Sequence, residues 1–353
     1  MTTRRLLTGL GLALALATTA NAAGLSKGAP DIKSAGPLAF GPDGILFVGD
    51  SAGSAIFALD TGDRAAGSKA ALKVDHLNRK VAEALGVEAA QITINDMAVN
   101  PASGKAYLSV SRGKGPDAAP VIARVDAAGK VEIVSLDAIP FAKAALSDSA
   151  SAKADAITDI AFVDGRVFVA GLSTEEFSSR LLSIPYPFAE TGKGTSIEIF
   201  HGAHGKLETK SPVRTFAAYH IKGEPYLMAA YTCTPLVKIP VAALKPGSHL
   251  KGTTIAELGN HNKPLDMIVY NKDGKDYLLL ANSARGVMKI QTEGFDTAEA
   301  VTKPVKTDKQ GVPYETVKGL KGVVQLDALD KDHAAILVQA ADGSLGLETI
   351  DLP

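Results

Sequence analysis

Three loops carry side chains that are capable of binding a metal ion. His201 and His204 stand close together, with Glu208 just behind them, in the segment FHGAHGKLETKSPVRT. Histidines at this spacing on a flexible loop can chelate one ion, and a further imidazole or a thiolate completes the coordination of zinc or copper. His261 in GNHNKPLDM and Cys233 in YTCTPLV are the candidates for that role. The alternative is that the histidines are solvated surface residues and that Cys233 is a small buried residue.

A second set of polar residues recurs at one position of a repeated pattern. Asp96, Asp159 and Asp266 each begin a short apolar segment, and Thr215 and Gln325 take the same place in two further copies. If these segments are the innermost strands of a ring, their first residues face a common axis. Carboxylates that meet there repel one another unless a proton or a hard cation such as Ca²⁺ compensates. The alternative is that each aspartate caps backbone N–H groups of a neighbouring unit.

Further polar residues are expected on the same face of the molecule. Asn95 and Arg214 immediately precede two of the strand starts, and Asn282 and Arg285 lie in the loop ANSARG. Together with Gln325, these four are the predicted ligand-binding residues. The chain contains no nucleophile elbow, phosphate-binding loop or haem-attachment motif, so the motifs specify no reaction.

The elements that position these residues repeat along the chain. A polar residue, a short apolar strand, a turn with Gly or Asp and a second apolar strand recur several times. The copies begin at Pro37, Asp96, Asp159, Thr215, Asp266 and Gln325, at spacings of 59, 63, 56, 51 and 59 residues. Each continues with a third strand, such as SAIFALD or RLLSIPY, and the first four show a fourth, such as VEIVSLD or TTIAEL. Four antiparallel strands per unit form a propeller blade, so we predict an all-β fold, a six-bladed β-propeller.

Closure of the ring needs one more strand. The last copy ends at Pro353 after only three strands, so we expect a strand from residues 24–34 to complete it and remove the open edge. A seven-bladed ring with one degenerate blade is the alternative. Short helices are expected between blades, around Asn78–Leu85 and Phe141–Leu146. The mature chain, residues 23–353, is thus predicted to be a single domain.

The N-terminus has the pattern of an export signal. Arg4 and Arg5 precede an apolar stretch from Leu6 to Ala17, and Ala20-Asn21-Ala22 supplies a cleavage site. The paired arginines also fit a twin-arginine signal. Residues 1–22 are therefore predicted to be a signal peptide, and the mature protein is predicted to be periplasmic or secreted. Nothing after Ala22 approaches the length of a membrane span, so no membrane association is expected for the mature form.

Composition excludes several classes of partner and fold. Removing the signal leaves 35 basic and 38 acidic residues, a charge of about −3, which argues against nucleic acid as a partner. Cys233 is the only cysteine, so no intrachain disulfide can form. The chain has no tryptophan, which weighs against WD40 propellers and against quinone-cofactor propellers with tryptophan docking motifs.

The repeats resemble the NHL and SMP-30/gluconolactonase group of six-bladed propellers. INDMAVNP, from Ile94 to Pro101, is similar to that group's Asn-Asp segment before a Gly-containing turn, and GPDGILFVGDSAGSAIFALD is similar to an NHL repeat. The resemblance implies a divalent cation on the axis, with Asn95 and Asp266 matching two of its four ligands. The group's Glu and second Asn have no counterpart in this sequence.

Three functions are compatible with these residues. The first is a binding propeller that holds a small ligand, a metal ion or a protein partner over its axial face. The second is a metal-dependent hydrolase of the lactonase type, in which a cation polarises a carbonyl and an Asp or His relays the proton. The third is a periplasmic metal-handling or redox-accessory protein that uses the histidine loop and Cys233. The missing lactonase ligands favour the first, whereas the clustering of ionisable residues favours the other two.

Overall fold

The computed structural model describes residues 24–67, 71–146, 154–233 and 235–353, so the predicted signal peptide lies outside the described residues. Strands dominate these ranges and form six small sheets arranged around one axis. The predicted six-bladed propeller is therefore confirmed.

We number the blades by the order of their innermost strands in the chain and give the strands from the axis outward. Blade 1 contains Leu38–Phe40, Ile45–Asp50, Ala55–Asp60, Ile139–Ala145 and Ser26–Gly28. Blade 2 contains Ile92–Val99, Ala106–Arg112, Ala119–Val125 and Val131–Ile133. Blade 3 contains Asp159–Val163, Arg166–Leu172, Ser179–Pro185 and Thr195–His201, and the last of these pairs with both Lys206–Glu208 and His249–Lys251.

The other three blades follow the same plan. Blade 4 contains Val213–Ile221, Glu224–Tyr231, Pro235–Pro240, Thr253–Glu257 and Gln310–Gly311. Blade 5 contains Pro264–Lys272, Lys275–Asn282, Gly286–Gln291 and Glu315–Thr316. Blade 6 contains Val323–Ala328, His333–Gln339, Leu345–Asp351 and Lys73–Val74.

One α-helix, Leu77–Ala84, lies within the described ranges, where a helix was predicted. Single 3-10 turns occur at Pro42–Gly44, Ala89–Gln91, Gly115–Asp117, Ala154–Ala156 and Val241–Ala243. The second predicted helix, Phe141–Leu146, is wrong. Residues Phe141 to Ala145 pair instead with the third strand of blade 1, because that strand would otherwise present an unpaired edge.

The blades do not follow one another around the ring in sequence order. Leu108 of blade 2 belongs to the same core layer as Leu337 of blade 6, and Phe47 of blade 1 packs in a layer with Val167 of blade 3. The contacts between the innermost strands show the same pairs of neighbouring blades as these core layers. Around the axis the blades therefore run 2, 1, 3, 4, 5, 6 and back to 2.

Ring closure consequently differs from the prediction. Val74 pairs with Leu347, so residues after blade 1 complete blade 6, while Ser26–Gly28 pairs with the outer strand of blade 1. The expected closure of the last blade by residues 24–34 is wrong. In a propeller, the outer strand of one blade leads into the innermost strand of an adjacent blade. Lys73–Val74 is the outer strand of blade 6, and the chain runs from it through the helix into blade 2, which lies beside blade 6.

Apolar layers between adjacent blades hold the ring together. Between blades 1 and 3, Phe47 is fully buried and stacks on Phe162 at a centroid distance of 5.4 Å. Tyr186 meets the same ring edge-on at 5.0 Å. Full burial of such a side chain contributes about 1.5–3 kcal/mol, so the layers stabilise the ring without disulfides or tryptophan.

Candidate functional site

Four innermost strands carry a β-bulge at the equivalent position. The breaks in register fall at Ile94/Asp96, Val213/Thr215, Pro264/Asp266 and Val323/Gln325. The extra residue at each bulge is Asn95, Arg214, Leu265 or Val324. A bulge redirects its side chain, and the first three of these residues line the mouth of the axial channel. The repeat thus places Asn95 and Arg214 where the sequence predicted them.

The mouth of the channel is a cavity of about 380 Å³. Six of the predicted metal- and ligand-binding residues line it: Asn95, Asp96, Asp159, Arg214, Asp266 and Gln325. The segment from Ser34 to Pro37 forms another part of the wall, and Asp155 stands beside Arg214 at the rim. The cavity is lined by no aromatic ring among the described residues, so it offers hydrogen bonds and charge without a stacking surface.

The aspartates cap the neighbouring blades. The Oδ2 atom of each accepts a backbone N–H from the next blade around the ring. The pairs are Asp96 with Leu38 at 2.7 Å, Asp159 with Phe216 at 2.8 Å, Asp266 with Leu326 at 2.8 Å and Asp327 with Val99 at 2.7 Å. Every pair joins two blades that are adjacent in the ring order given above. The capping interpretation of these aspartates is therefore confirmed.

Gln325 joins two of the carboxyl groups. With its amide nitrogen facing them, it donates to Asp96 Oδ1 at 2.6 Å and to Asp266 Oδ2 at 3.0 Å. The opposite amide orientation would leave the carbonyl oxygen facing only acceptors. The side chains of blades 2, 5 and 6 thus form one hydrogen-bonded layer across the floor of the cavity.

Burial and mutual repulsion raise the pKa values of these carboxyl groups. Burial, together with the charge of Asp266, raises the pKa of Asp159 to about 8. The pKa values of Asp96 and Asp266 also lie well above their ordinary range, chiefly through burial and then through neighbouring carboxylates. Burial raises the pKa of Asp327 to about 6. All four side chains retain some surface in the channel.

The axial aspartates do not form a compact chelate. Within the described ranges, Asp96, Asp159 and Asp266 do not each bring a ligand atom to within 4.8 Å of the other two. Because Ca²⁺ takes six to eight oxygen ligands, most of its coordination sphere would have to come from elsewhere. The predicted Ca²⁺ site therefore lacks a ready set of protein ligands, whereas capping accounts for the same residues.

The histidine loop does form a convergent group. His201, His204 and Glu208 each present a ligand atom within 4.8 Å of the others. Glu208 lies 3.0 Å from Nδ1 of His201 and 2.6 Å from Nδ1 of His204. The two imidazole rings lie beside each other, at a centroid distance of 3.8 Å and an interplanar angle of 35°. The hairpin between Thr195–His201 and Lys206–Glu208 creates this proximity, so local sequence alone specified it.

Glu257 joins this group from the next blade. It ends the strand Thr253–Glu257, is buried, and its Oε1 accepts the backbone N–H of Gly202 at 2.5 Å. Its Oε2 lies 4.0 Å from Nε2 of His201. Burial raises the pKa of Glu257 to about 7 and lowers that of His201. No sequence pattern indicated Glu257, because only the packing of blade 3 against blade 4 brings it to the histidines.

The other predicted metal ligands lie elsewhere. His261 is exposed and is not part of the convergent group. Cys233 is half-buried, and its backbone N–H donates to the carbonyl oxygen of Asn262 at 2.9 Å. His261 and Cys233 do not belong to the convergent group, and the coordinating role predicted for them stays a prediction. None of the predicted metal ligands in the loops lines the axial cavity, so the two groups are separate sites.

Asn282 and Arg285 hold a loop connection together. The side-chain amide of Asn282 donates to Asn262 Oδ1 at 2.9 Å, and its own oxygen accepts the N–H of Arg285 at 3.0 Å. Arg285 in turn pairs with Asp308 at 2.8 Å. Neither residue lines the axial cavity. These contacts give Asn282 and Arg285 a structural role, and the ligand-binding role predicted for them stays a prediction.

Comparison with known proteins adds little beyond the fold. No family model matches the chain, and no curated protein matches it significantly. Similar solved structures include a glucose dehydrogenase-type oxidoreductase of Thermus thermophilus, 13% identical over 93% of this chain and 100% of that one, with a TM-score of 0.39. Another is the PQQ-bound aldose sugar dehydrogenase of Streptomyces coelicolor, 11% identical over 92% and 96%, with a TM-score of 0.36.

A third is an engineered family 43 glycoside hydrolase, 11% identical over 74% of this chain and 51% of that one, with a TM-score of 0.36. Likeness at this level carries no functional argument. The resemblance to the NHL and SMP-30 group stays a prediction. No helix in the described part of the chain has the length and apolarity needed to cross a membrane.

Proposed function

We propose that this chain is a binding propeller whose axial cavity holds a small polar ligand carrying a positively charged amino group. The observation that carries the proposal is the floor of the cavity. There, Asp96 and Asp266 converge on one amide, Gln325, with Asp159 beside them. A cavity of about 380 Å³ lies within the size range of small-molecule binding sites.

Electrostatics favours a cation as the ligand. Each floor carboxyl group has a raised pKa because its ionised form is buried among like charges. A ligand N–H⁺ group would offset that repulsion and donate hydrogen bonds to the carboxylates. The rim contributes Arg214, whose charge is already paired with Asp155 at 2.9 Å. An anionic ligand would have to displace that pair and would face the carboxylates below.

An organic cation fits better than a bare metal ion. The carboxylates are too far apart to supply three ligand atoms to one ion, but a diamine or amino alcohol can reach more than one of them. The lactonase alternative requires a firmly held axial cation that polarises a carbonyl. Binding without chemistry is therefore the function that the cavity supports best.

Calorimetric titration of the full-length chain tests the proposal. The probes are putrescine, Ca²⁺, glucose and citrate, each at pH 5 and pH 8. We expect putrescine to bind at one site, and more tightly at pH 8. Binding of a cation lowers the pKa values of the floor carboxyls, so protons are released and affinity rises with pH.

Asp266→Asn should weaken putrescine binding by at least tenfold, because one carboxylate is lost. Asp117→Asn, at an exposed position outside the cavity lining, is the matched control and should leave affinity unchanged. Preferential binding of citrate or glucose, or equal affinity of both variants for putrescine, would contradict the proposal.

A further inference from the structure

A second site lies at the periphery, where the outer strands of blades 3 and 4 end side by side. His201 is the last residue of Thr195–His201, and Glu257 is the last residue of Thr253–Glu257. Between them, the backbone carbonyl of Gly202 accepts the N–H of Val305 at 2.9 Å, so the segment around Val305 covers one side. No residue of this group lines the axial cavity, so the site is independent of the function proposed above.

Glu208 fixes the orientation of both imidazoles. Its carboxylate accepts the hydroxyl hydrogen of Ser211 at 2.6 Å and lies 3.0 Å from Nδ1 of His201 and 2.6 Å from Nδ1 of His204. An ionised carboxylate can only accept, so each histidine donates its Nδ1 hydrogen to it. The neutral form of each ring then has a bare Nε2. The two nitrogens of an imidazole lie on different sides of the ring, so both Nε2 atoms turn away from Glu208.

Two buried acceptors face each other on that far side. Nε2 of His201 and Oε2 of Glu257 are 4.0 Å apart. Both atoms are buried and lack a hydrogen-bond partner within the described residues. Leaving two such atoms unpaired costs free energy, so the arrangement calls for a group that accepts both lone pairs. A divalent metal ion is such a group.

We propose that Nε2 of His201 and Oε2 of Glu257 bind one divalent transition-metal ion, with zinc as the reference ion, and that the neighbouring imidazole of His204 supplies the next ligand when the ion draws the side chains together. Zinc–nitrogen and zinc–oxygen bonds are about 2.0–2.2 Å long, so two ligands of one ion are at most roughly 4.3 Å apart. The gap of 4.0 Å lies inside that limit. In tetrahedral coordination the two ligand atoms lie about 3.4 Å apart, and a small movement of the two side chains toward each other provides that distance.

The remaining features fit the same ion. Two imidazoles and a carboxylate suit a transition metal, whereas Ca²⁺ prefers oxygen ligands alone. Glu208 occupies the position of the carboxylate that commonly orients a metal-bound histidine through its other ring nitrogen. His204 is exposed on its outer side, which leaves a coordination position open to solvent. A site with three protein ligands and one open position can exchange its ion or bind a further ligand.

Zinc titration against a chromogenic chelator tests this assignment on the full-length chain. We expect one equivalent to bind wild type, and the His201→Ala/His204→Ala double variant to lose that site. Glu257→Gln should weaken zinc binding by at least tenfold, because a neutral amide replaces the anionic ligand. Glu208→Gln should weaken it by about tenfold to a hundredfold through loss of imidazole orientation. His249→Ala, an exposed histidine outside the group, is the control and should bind as wild type.

Thermal melts of each apo variant separate loss of the site from loss of the fold. Unchanged zinc affinity in Glu257→Gln would overturn the assignment, because it would mean that Glu257 merely holds a buried water. Unchanged affinity in the double variant, or no binding by folded wild type at micromolar zinc, would overturn it as well.

Discussion

Asp96 accepts the backbone N–H of Leu38 at 2.7 Å, so the second blade of the sequence caps the first. In the same way, Asp327 of blade 6 caps Val99 of blade 2 at 2.7 Å. Blade 2 therefore lies between blades 1 and 6. Since the polypeptide itself does not run through the blades in this order, these interblade bonds and the apolar layers decide which blades are neighbours.

The first prediction tests the ring order through a disulfide. Lys73 and Glu348 are directly paired across the strands that close blade 6. Paired Cα atoms of antiparallel strands are about 4.5–5.5 Å apart, within the range that a disulfide spans. In a Cys233→Ser background, Lys73→Cys/Glu348→Cys should oxidise to an intrachain disulfide, detected by mass spectrometry under non-reducing conditions.

Lys27→Cys/Glu348→Cys is the matched control. It would form the disulfide if residues 24–34 closed the last blade, and we expect it to remain reduced. The opposite result for the two pairs would restore sequential closure of the ring.

The second prediction concerns the caps. Asp266 accepts the N–H of Met267 and of Leu326, both at 2.8 Å. Asp266→Ala leaves these donors without a partner and should lower the free energy of unfolding by about 2 kcal/mol or more. Asp266→Asn keeps one acceptor oxygen and should lower the free energy of unfolding by less than Asp266→Ala. Urea denaturation measures both, and Asp117→Ala serves as the exposed control. Equal stability of Asp266→Ala and wild type would show that the caps contribute nothing.

The third prediction is a pH dependence due to Asp159, whose pKa is raised to about 8 by burial. Between the ordinary aspartate pKa and about 8, the folded state holds a proton that the unfolded state releases. Its stabilising contribution is thus complete at low pH and is lost as the pH rises, by at most about 1.4 kcal/mol per unit.

Asp159→Asn should flatten the fall in unfolding free energy between pH 5 and pH 8. Urea denaturation at both values measures this change. If the variant shows the same slope as wild type, Asp159 is already ionised in the folded state and this account of the floor is wrong.

The fourth prediction concerns Gln325, which donates to both Asp96 and Asp266. Gln325→Glu places a third carboxyl group between them and should destabilise the protein more at pH 8 than at pH 5. Gln325→Leu removes the same donors without adding a charge, so its cost should vary less with pH. Melting temperatures of both variants at pH 5 and pH 8 measure these effects. A loss of stability in Gln325→Glu that is the same at both pH values would argue against convergence of the carboxyl groups.

Much of the propeller was specified by local sequence. The alternation of apolar and polar residues, the Gly and Asp turns and the repeat spacing predicted the three inner strands of every blade, because these patterns depend only on neighbours along the chain. The equivalent position of Asp96, Asp159 and Asp266 in the repeat placed all three at the axial mouth. His201, His204 and Glu208 lie on one hairpin, and their proximity was likewise readable from their spacing.

Only the tertiary structure decided the rest. Strand pairing uses backbone groups that every residue carries, so Phe141–Ala145 and Lys73–Val74 gave no local sign of which edge they would join. The permuted ring order follows from the fit of apolar layers between blades, a property of two surfaces rather than of one segment. For the same reason Glu257, remote in sequence from His201, reached the histidines only when blades 3 and 4 packed together.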